Sequence, residues 1–144
     1  IDLSKGMLPV YLAKGDTNLM LASGFAAMIG HVYPIFYNFK GGKGAGTLLG
    51  VIIISLPYSA LYVTITWFTC VLLSGYVGLS TIIAVFTLLV YSILYTGYPF
   101  IIFSISSLLF IIYTHRGNIK RMKEGNENRF EKVMIFNRNK KGSL

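Results

Sequence analysis

The sequence is poor in acidic residues and contains one very long stretch without any charge. Only five of its 144 residues are Asp or Glu, and residues 44–114 contain no Asp, Glu, Lys or Arg. A stretch of that length can cross a hydrocarbon core of about 30 Å more than once. We therefore predict an all-α fold, a polytopic integral membrane helical bundle with short, broken helices.

Cysteine and histidine are also scarce, and this excludes several kinds of site. Cys70 is the single cysteine, so no disulfide can form within the chain. His31 and His115 do not make a metal-ligand set of standard spacing, and no acidic residue in the uncharged stretch could orient a histidine of a nucleophilic triad. Lys43 is followed by Gly44 instead of Ser or Thr, so the P-loop signature fails. We expect no metal and no cofactor, and we place any chemistry at the membrane face.

The charges that are present are mostly positive, with a net charge of +8. These charges flank the apolar spans, near Lys40 and Lys43 and in residues 115–144. The simplest explanation is that they orient the spans in the membrane by the positive-inside rule. We therefore expect residues 115–144 to be a basic cytoplasmic tail that contacts membrane lipids, and we expect no nucleic acid partner. Residues 1–144 are interpreted as a single membrane domain. Because the sequence begins with Ile1, we interpret it as the C-terminal part of a longer chain.

The apolar pattern predicts where the chain crosses the membrane. We predict helices or spans at residues 19–36, 48–73, 80–95, 98–114 and 118–123, with uncharged turns at 75–78 and 96–99. Residues 48–73 contain Pro57 and are somewhat longer than one span needs. If residues 48–73 cross once, the loop near Lys43 and the basic tail lie on opposite faces of the membrane. If the chain instead breaks at Pro57 into two crossings, or enters and returns, both lie on the cytoplasmic face. Positive-inside counting favours this arrangement.

Glycines and lysines crowd into residues 40–47, KGGKGAGT, between two apolar segments. The glycines permit close backbone approach to a ligand, and Lys40 and Lys43 add positive charge. If Thr47 begins the next helix, the loop also lies at a helix N-terminus, which favours an anion. The alternative is a flexible basic connector at the membrane surface. The polar residues that we expect to converge on this face are His31, Lys40, Lys43, His115, Arg116, Asn118 and Glu127.

Two segments resemble motifs of one enzyme family. Residues 30–47, GHVYPIFYNFKGGKGAGT, are similar to the second motif of the bacterial acyl-phosphate:glycerol-3-phosphate acyltransferases of the PlsY type. Residues 115–122, HRGNIKRM, followed by Gly125, Asn126 and Glu127, resemble the third motif. The opening Asp2, Lys5, Gly6 and Pro9 match the segment that follows the first motif, so the resemblance spans nearly the whole chain.

The resemblance implies a membrane enzyme that moves an acyl group from acyl phosphate to the 1-hydroxyl of sn-glycerol 3-phosphate, giving lysophosphatidic acid and phosphate. It implies a bacterial inner (plasma) membrane location with the active face cytoplasmic. Catalytic roles are implied for His115, Asn118, Lys43 and Glu127, and substrate binding for His31, Lys40, Gly41, Gly42, Lys43, Gly44 and Thr47. The implied partners are acyl phosphate, sn-glycerol 3-phosphate and membrane lipids.

The chain departs from the family pattern in places. The first motif, with its Ser, Gly-Asn and Arg, has no counterpart here, and we expect it upstream of Ile1. Where relatives usually show Arg-Tyr-Val-Ser-Leu, this chain has glycine at positions 75 and 78; Ser80 and Thr81 are candidates to replace the lost hydroxyl. The alternative function is a non-catalytic membrane protein that binds anionic lipid or a partner through its basic loop and tail. A small transporter of an organic phosphate lacks support, because no repeat or paired broken helices are visible.

Overall fold

The computed structural model describes residues 1–130, in which all regular secondary structure is helical and no strand occurs. Its α-helices are α1 (Asp2–Leu12), α2 (Thr17–Val32), α3 (Ala45–Ser55), α4 (Pro57–Ser74), α5 (Val77–Tyr95), α6 (Tyr98–Thr114) and α7 (Arg116–Lys123), with a short 3-10 helix at Ile35–Tyr37. Within these residues three helices are long and apolar enough to cross a membrane, or four if the bent pair α6 and α7 counts as one span. The prediction of an all-α membrane fold with short, broken helices is confirmed.

The predicted break at Pro57 is present. Helix α3 ends at Ser55, Leu56 adopts a non-helical backbone, and Pro57 begins α4 at a position where its missing N–H costs nothing. As a result, α3 and α4 are two separate helices. The Nζ of Lys43, just before α3, reaches Asn118 in α7. The glycine loop and the start of the basic tail therefore lie at the same end of the bundle, as predicted.

Several predicted boundaries shift by a few residues. Helix α2 occupies Thr17–Val32 instead of residues 19–36, because Pro34 disfavours helix at the preceding residue. Helix α5 begins at Val77, so the turn predicted at 75–78 is confined to Gly75 and Tyr76. Helix α7 begins at Arg116, two residues earlier than expected. The tail predicted for residues 115–144 continues beyond the residues described.

Helix α1 packs closely on α3, and this decides the position of Thr47. A Cβ on Gly6 would overlap the backbone oxygen of Thr47, so only glycine permits this approach. Thr47 is fully buried. It does not begin the helix, since α3 starts at Ala45, so the condition that would place Thr47 at the helix N-terminus is not met.

The remaining helices join through apolar contacts and a few hydroxyl groups. Leu88, Ile52 and Ile111 are fully buried in one core, whereas the outward faces carry exposed apolar residues suited to lipid. Ser104 of α6 bonds to Ser92 of α5, with 2.7 Å between their hydroxyl oxygens, so a buried polar link joins these two helices.

Candidate functional site

A cavity of about 710 Å³ lies between α3, α4 and α5 and opens at the end of the bundle where α7 sits. Its size is that of a small-molecule site. The polar residues lining it at this end include Asp2, His31, Lys43, His115, Asn118, Glu127 and Asn128. The apolar residues lining the rest include Leu48, Leu49, Ile52, Val63, Trp67, Phe68, Val77, Ala84, Val85 and Leu88. The cavity thus joins a charged mouth to an oily interior.

The glycine loop carries Lys43 to this mouth by folding back onto the end of α2. The N–H of Gly41 donates to the Val32 carbonyl, 3.1 Å away, and a Cβ on Gly41 would overlap the His31 carbonyl oxygen. Gly44 adopts a left-handed φ of 85° and caps α3, a conformation that favours glycine. The Thr114 hydroxyl donates to the Lys43 carbonyl at 2.9 Å and ties the loop to α6. The glycines therefore fix the backbone of the loop that carries Lys43.

A chain of hydrogen bonds leads from Lys43 into the residues after α7. The Lys43 Nζ donates to Asn118 Oδ1 at 2.5 Å, and Asn118 Nδ2 donates to Glu127 Oε1 at 2.5 Å. Arg121 Nε donates to Glu127 Oε2 at 2.6 Å. The bonds from Arg121 and Asn118 hold the pKa of Glu127 below its usual value, so this carboxylate is ionised at neutral pH. The two ends of the Asn118 amide are thereby fixed, its oxygen toward Lys43 and its nitrogen toward Glu127.

His115 sits at the corner between α6 and α7 with only 4% of its surface exposed. Its Nδ1 lies 2.9 Å from the Ile111 carbonyl oxygen. A carbonyl can only accept, so Nδ1 carries the proton, and in the neutral ring Nε2 is an acceptor. The bend of 55° between α6 and α7 allows His115 and Asn118 to line the same cavity.

The structure assembles most of the predicted site residues and separates the others from them. Those that line the cavity together are His31, Gly42, Lys43, Gly44, His115, Asn118 and Glu127. Lys40, Gly41, Thr47 and Arg116 do not line it. Lys40 is exposed on the loop, Gly41 packs against the end of α2, and Thr47 is buried against α1. Helix α3 begins too early in the sequence for Thr47 to stand at the mouth.

Other residues of the site escaped sequence reasoning. Asp2 lines the cavity, and its Oδ1 lies 3.6 Å from Nδ1 of His31. Asn128 and Phe130 line it as well, and the Phe130 N–H donates to the Gly75 carbonyl at 2.9 Å. Asp2 had two sequence signals, its acidic side chain beside a membrane segment and its place in a segment that resembles the family. Residues 128 and 130 had none, because their contacts depend on how the chain folds back over the mouth.

Gly78, one of the two glycines that depart from the family pattern, packs against Asn118. A Cβ on Gly78 would lie 2.9 Å from the Asn118 Cβ, so glycine leaves room for the Asn118 side chain. Thr81 lines the cavity, but its hydroxyl already accepts from Trp67 Nε1 at 3.1 Å and donates to the Val77 carbonyl. The Ser80 hydroxyl is fully buried and donates to the Tyr76 carbonyl. Both candidate hydroxyls are therefore engaged.

The fold and this site define a multi-pass membrane protein with a polar site at one end of an apolar cavity. Residues 1–125 match the family model described as glycerol-3-phosphate acyltransferase. The glycerol-3-phosphate acyltransferase of Aquifex aeolicus is 35% identical over 136 residues, which cover 90% of this chain and 70% of the relative. That of Methylococcus capsulatus is 36% identical over 132 residues, covering 89% of this chain and 67% of the relative.

Two solved structures of the same family superpose on this chain. A crystal structure of PlsY (YgiH), an integral membrane glycerol 3-phosphate acyltransferase, in its lysophosphatidic acid form superposes with a TM-score of 0.84 at 36% identity, covering 90% of this chain and 68% of that chain. Its glycerol 3-phosphate form gives a TM-score of 0.85 at 35% identity, covering 90% and 67%. The chain belongs to the glycerol-3-phosphate acyltransferase family of the PlsY type. It is a membrane enzyme, an acyltransferase of phospholipid synthesis.

Proposed function

We propose that the enzyme transfers an acyl group from acyl phosphate to the 1-hydroxyl of sn-glycerol 3-phosphate, giving lysophosphatidic acid and inorganic phosphate. The observation that carries this proposal is the cavity that joins the cationic mouth around Lys43 to an apolar interior. The donor combines a phosphate with a hydrocarbon chain, and the acceptor is a small dianion. A site that binds both the donor and the acceptor needs positive charge at its mouth and an apolar cavity behind it.

The apolar interior suits the acyl chain. Residues of α3, α4 and α5 supply it, and a hydrocarbon buried there leaves its phosphate end at the mouth. Lys43, held by Asn118, then lies beside the phosphate, and the N–H groups at the start of α3 add a favourable dipole. A relative solved in a glycerol 3-phosphate form supports the choice of acceptor.

The reaction needs little covalent help from the protein, because acyl phosphate already carries a good leaving group. The glycerol hydroxyl oxygen forms a bond to the acyl carbonyl carbon, and the bond from that carbon to the phosphate oxygen breaks. Phosphate leaves with the electron pair, and the hydroxyl proton passes to a substrate phosphate. The Lys43 ammonium offers hydrogen bonds to the developing negative charge, and Asn118 and Glu127 keep it in place.

His115 and His31 take supporting roles in this proposal. Both line the cavity beside Lys43. His115 is fixed through Nδ1, so its Nε2 is the atom available to a substrate hydroxyl or, when protonated, to a phosphate oxygen. His31 packs against Gly42 and helps to shape the loop that binds phosphate. Glu127 acts through Asn118 and not on the reacting atoms.

We also place the mouth on the cytoplasmic face of a bacterial inner membrane. The cations near the mouth include Lys40, Lys43, Arg116, Lys120, Arg121, Lys123 and Arg129, which are described residues of the loop, α7 and the segment after it. Such an excess is typical of the cytoplasmic side, where the same residues contact anionic lipid headgroups. Reporter fusions on the loop and on the tail test this orientation, and a periplasmic signal from either would contradict it.

Acyl transfer from palmitoyl phosphate to radiolabelled glycerol 3-phosphate tests the proposal directly, in membranes that express the protein from its natural gene. Lys43→Ala should lower turnover by about 100-fold or more, the loss typical of removing one electrostatic contact to the transition state. Lys14→Ala is the matched control, since Lys14 is an exposed lysine that does not line the cavity. Equal turnover of the two variants, both inserted in the membrane, would remove Lys43 from the mechanism.

A further inference from the structure

Three helices line the cavity from its mouth inward, and each stops lining it at one apolar residue. Helices α3 and α5 begin at the mouth, and the lining residue farthest along each is Ile52 and Leu88. Helix α4 runs the other way and returns to the mouth at Gly75, so Val63 is its innermost lining residue. These three side chains form the inner end of the cavity, which we name the floor.

The floor is closed by tight packing. Leu88 and Ile52 are 0% exposed and Val63 is 8% exposed, and all three belong to the same buried core. Along α5, Val77 at the mouth and Leu88 at the floor are separated by about 16 Å at 1.5 Å per residue. A linear ligand that enters from the mouth therefore meets packed apolar side chains after a defined length.

We propose that Leu88, Ile52 and Val63 set the longest acyl chain that the enzyme uses efficiently. This inference rests on the proposed function, in which the acyl chain of the donor occupies the cavity. Each methylene that enters the apolar interior contributes favourable free energy of burial. Each methylene beyond the floor must displace close-packed side chains or remain outside the cavity. The preferred donor is the one whose chain just reaches the floor.

A chain could instead leave the cavity sideways. Phe68 lines the cavity on α4 and is half-exposed on the surface that faces lipid. The cavity continues inward past Phe68, however, to Val63 on α4 and through Ala84 to Leu88 on α5. The longer apolar path therefore runs to the floor. If the acyl chain left sideways instead, Phe68 and not Leu88 would be the residue that limits its length.

The experiment measures kcat/KM for saturated acyl phosphates from decanoyl to eicosanoyl, with glycerol 3-phosphate saturating. Leu88→Ala removes three carbon atoms from the floor and should shift the optimum to a chain about two carbons longer. Ala84→Leu places a side chain in the cavity one turn above the floor and should shift the optimum to a shorter chain. Each methylene lost from or gained by the cavity should change kcat/KM by about fourfold.

Matched controls separate chain-length control from general damage. Leu21→Ala and Ala60→Leu make the same changes at buried core positions that do not line the cavity, so they should leave the order of donors unchanged. If wild-type enzyme uses some acyl phosphates and neither Leu88→Ala nor Ala84→Leu alters the optimum, the floor inference is wrong. A changed profile in Phe68→Ala alone would overturn it in favour of the sideways path. Wild-type enzyme that uses no acyl phosphate would overturn the proposed function itself.

Discussion

Adding one methyl group at Gly41 should disable the enzyme without preventing its insertion. A Cβ there would overlap the carbonyl oxygen of His31, a backbone atom of helix α2 that cannot move aside. The variant Gly41→Ala must therefore lift the loop away from α2 and break the hydrogen bond from Gly41 N–H to the Val32 carbonyl, now 3.1 Å long. The direct target of this change is the position of Lys43, two residues on.

The magnitude follows from this geometry. Loss of one backbone hydrogen bond costs about 1 kcal/mol and steric overpacking costs about 1–3 kcal/mol, less than the total stability of a typical domain. The protein should therefore stay folded. A displacement of a positioned catalytic group by about 1 Å can cost about 100-fold in rate. We expect kcat/KM for glycerol 3-phosphate to fall by about that factor in Gly41→Ala.

Gly30→Ala is the matched control in the same stretch. Gly30 lies in α2, and a Cβ at that position meets no other atom within 4 Å. Alanine is the better helix former by about 1 kcal/mol, so this variant should keep full activity. The assay is steady-state acyl transfer in membranes, with protein amount and thermal unfolding measured in parallel. Activity of Gly41→Ala close to that of Gly30→Ala would show that contact of the loop with α2 does not position Lys43.

Two further predictions concern polar contacts away from the glycines. The pKa of Glu127 is lowered by Arg121 and Asn118, so its contribution to stability should be complete above its unfolded pKa of about 4.3 and be lost as pH falls through the lower folded value. Thermal unfolding of wild type and Glu127→Gln should therefore differ at pH 7 and converge in acid, with the exposed Glu124→Gln as control; a gap that widens in acid would contradict the assignment. Ser104→Ala removes the bond to Ser92 and should lower the unfolding free energy in detergent by about 0.6 kcal/mol without changing turnover. A large loss of turnover would give Ser104 a role in the site that its contacts do not show.

The sequence alone determined the class of fold and the local chemistry. The uncharged stretch predicted membrane helices, because lipid offers the backbone no hydrogen-bond partners and forces each segment to satisfy its own. Pro57 predicted the break between α3 and α4, and the glycines of residues 40–47 predicted a tight loop that carries Lys43. Each of these features depends on neighbouring residues, so the order of residues was enough to find it.

Only the tertiary structure decided which residues share the cavity. Lys43 and Asn118 are 75 residues apart in the sequence, and Asp2 reaches the same mouth from α1. Thr47 belongs to the glycine loop in sequence but lies buried against Gly6 in the structure. Contacts of this kind depend on how helices pack, and the sequence pattern of one segment carries no information about the distance to another. The apolar segments were likewise readable from the sequence, but the cavity between α3, α4 and α5 exists only because their packed faces leave that space open.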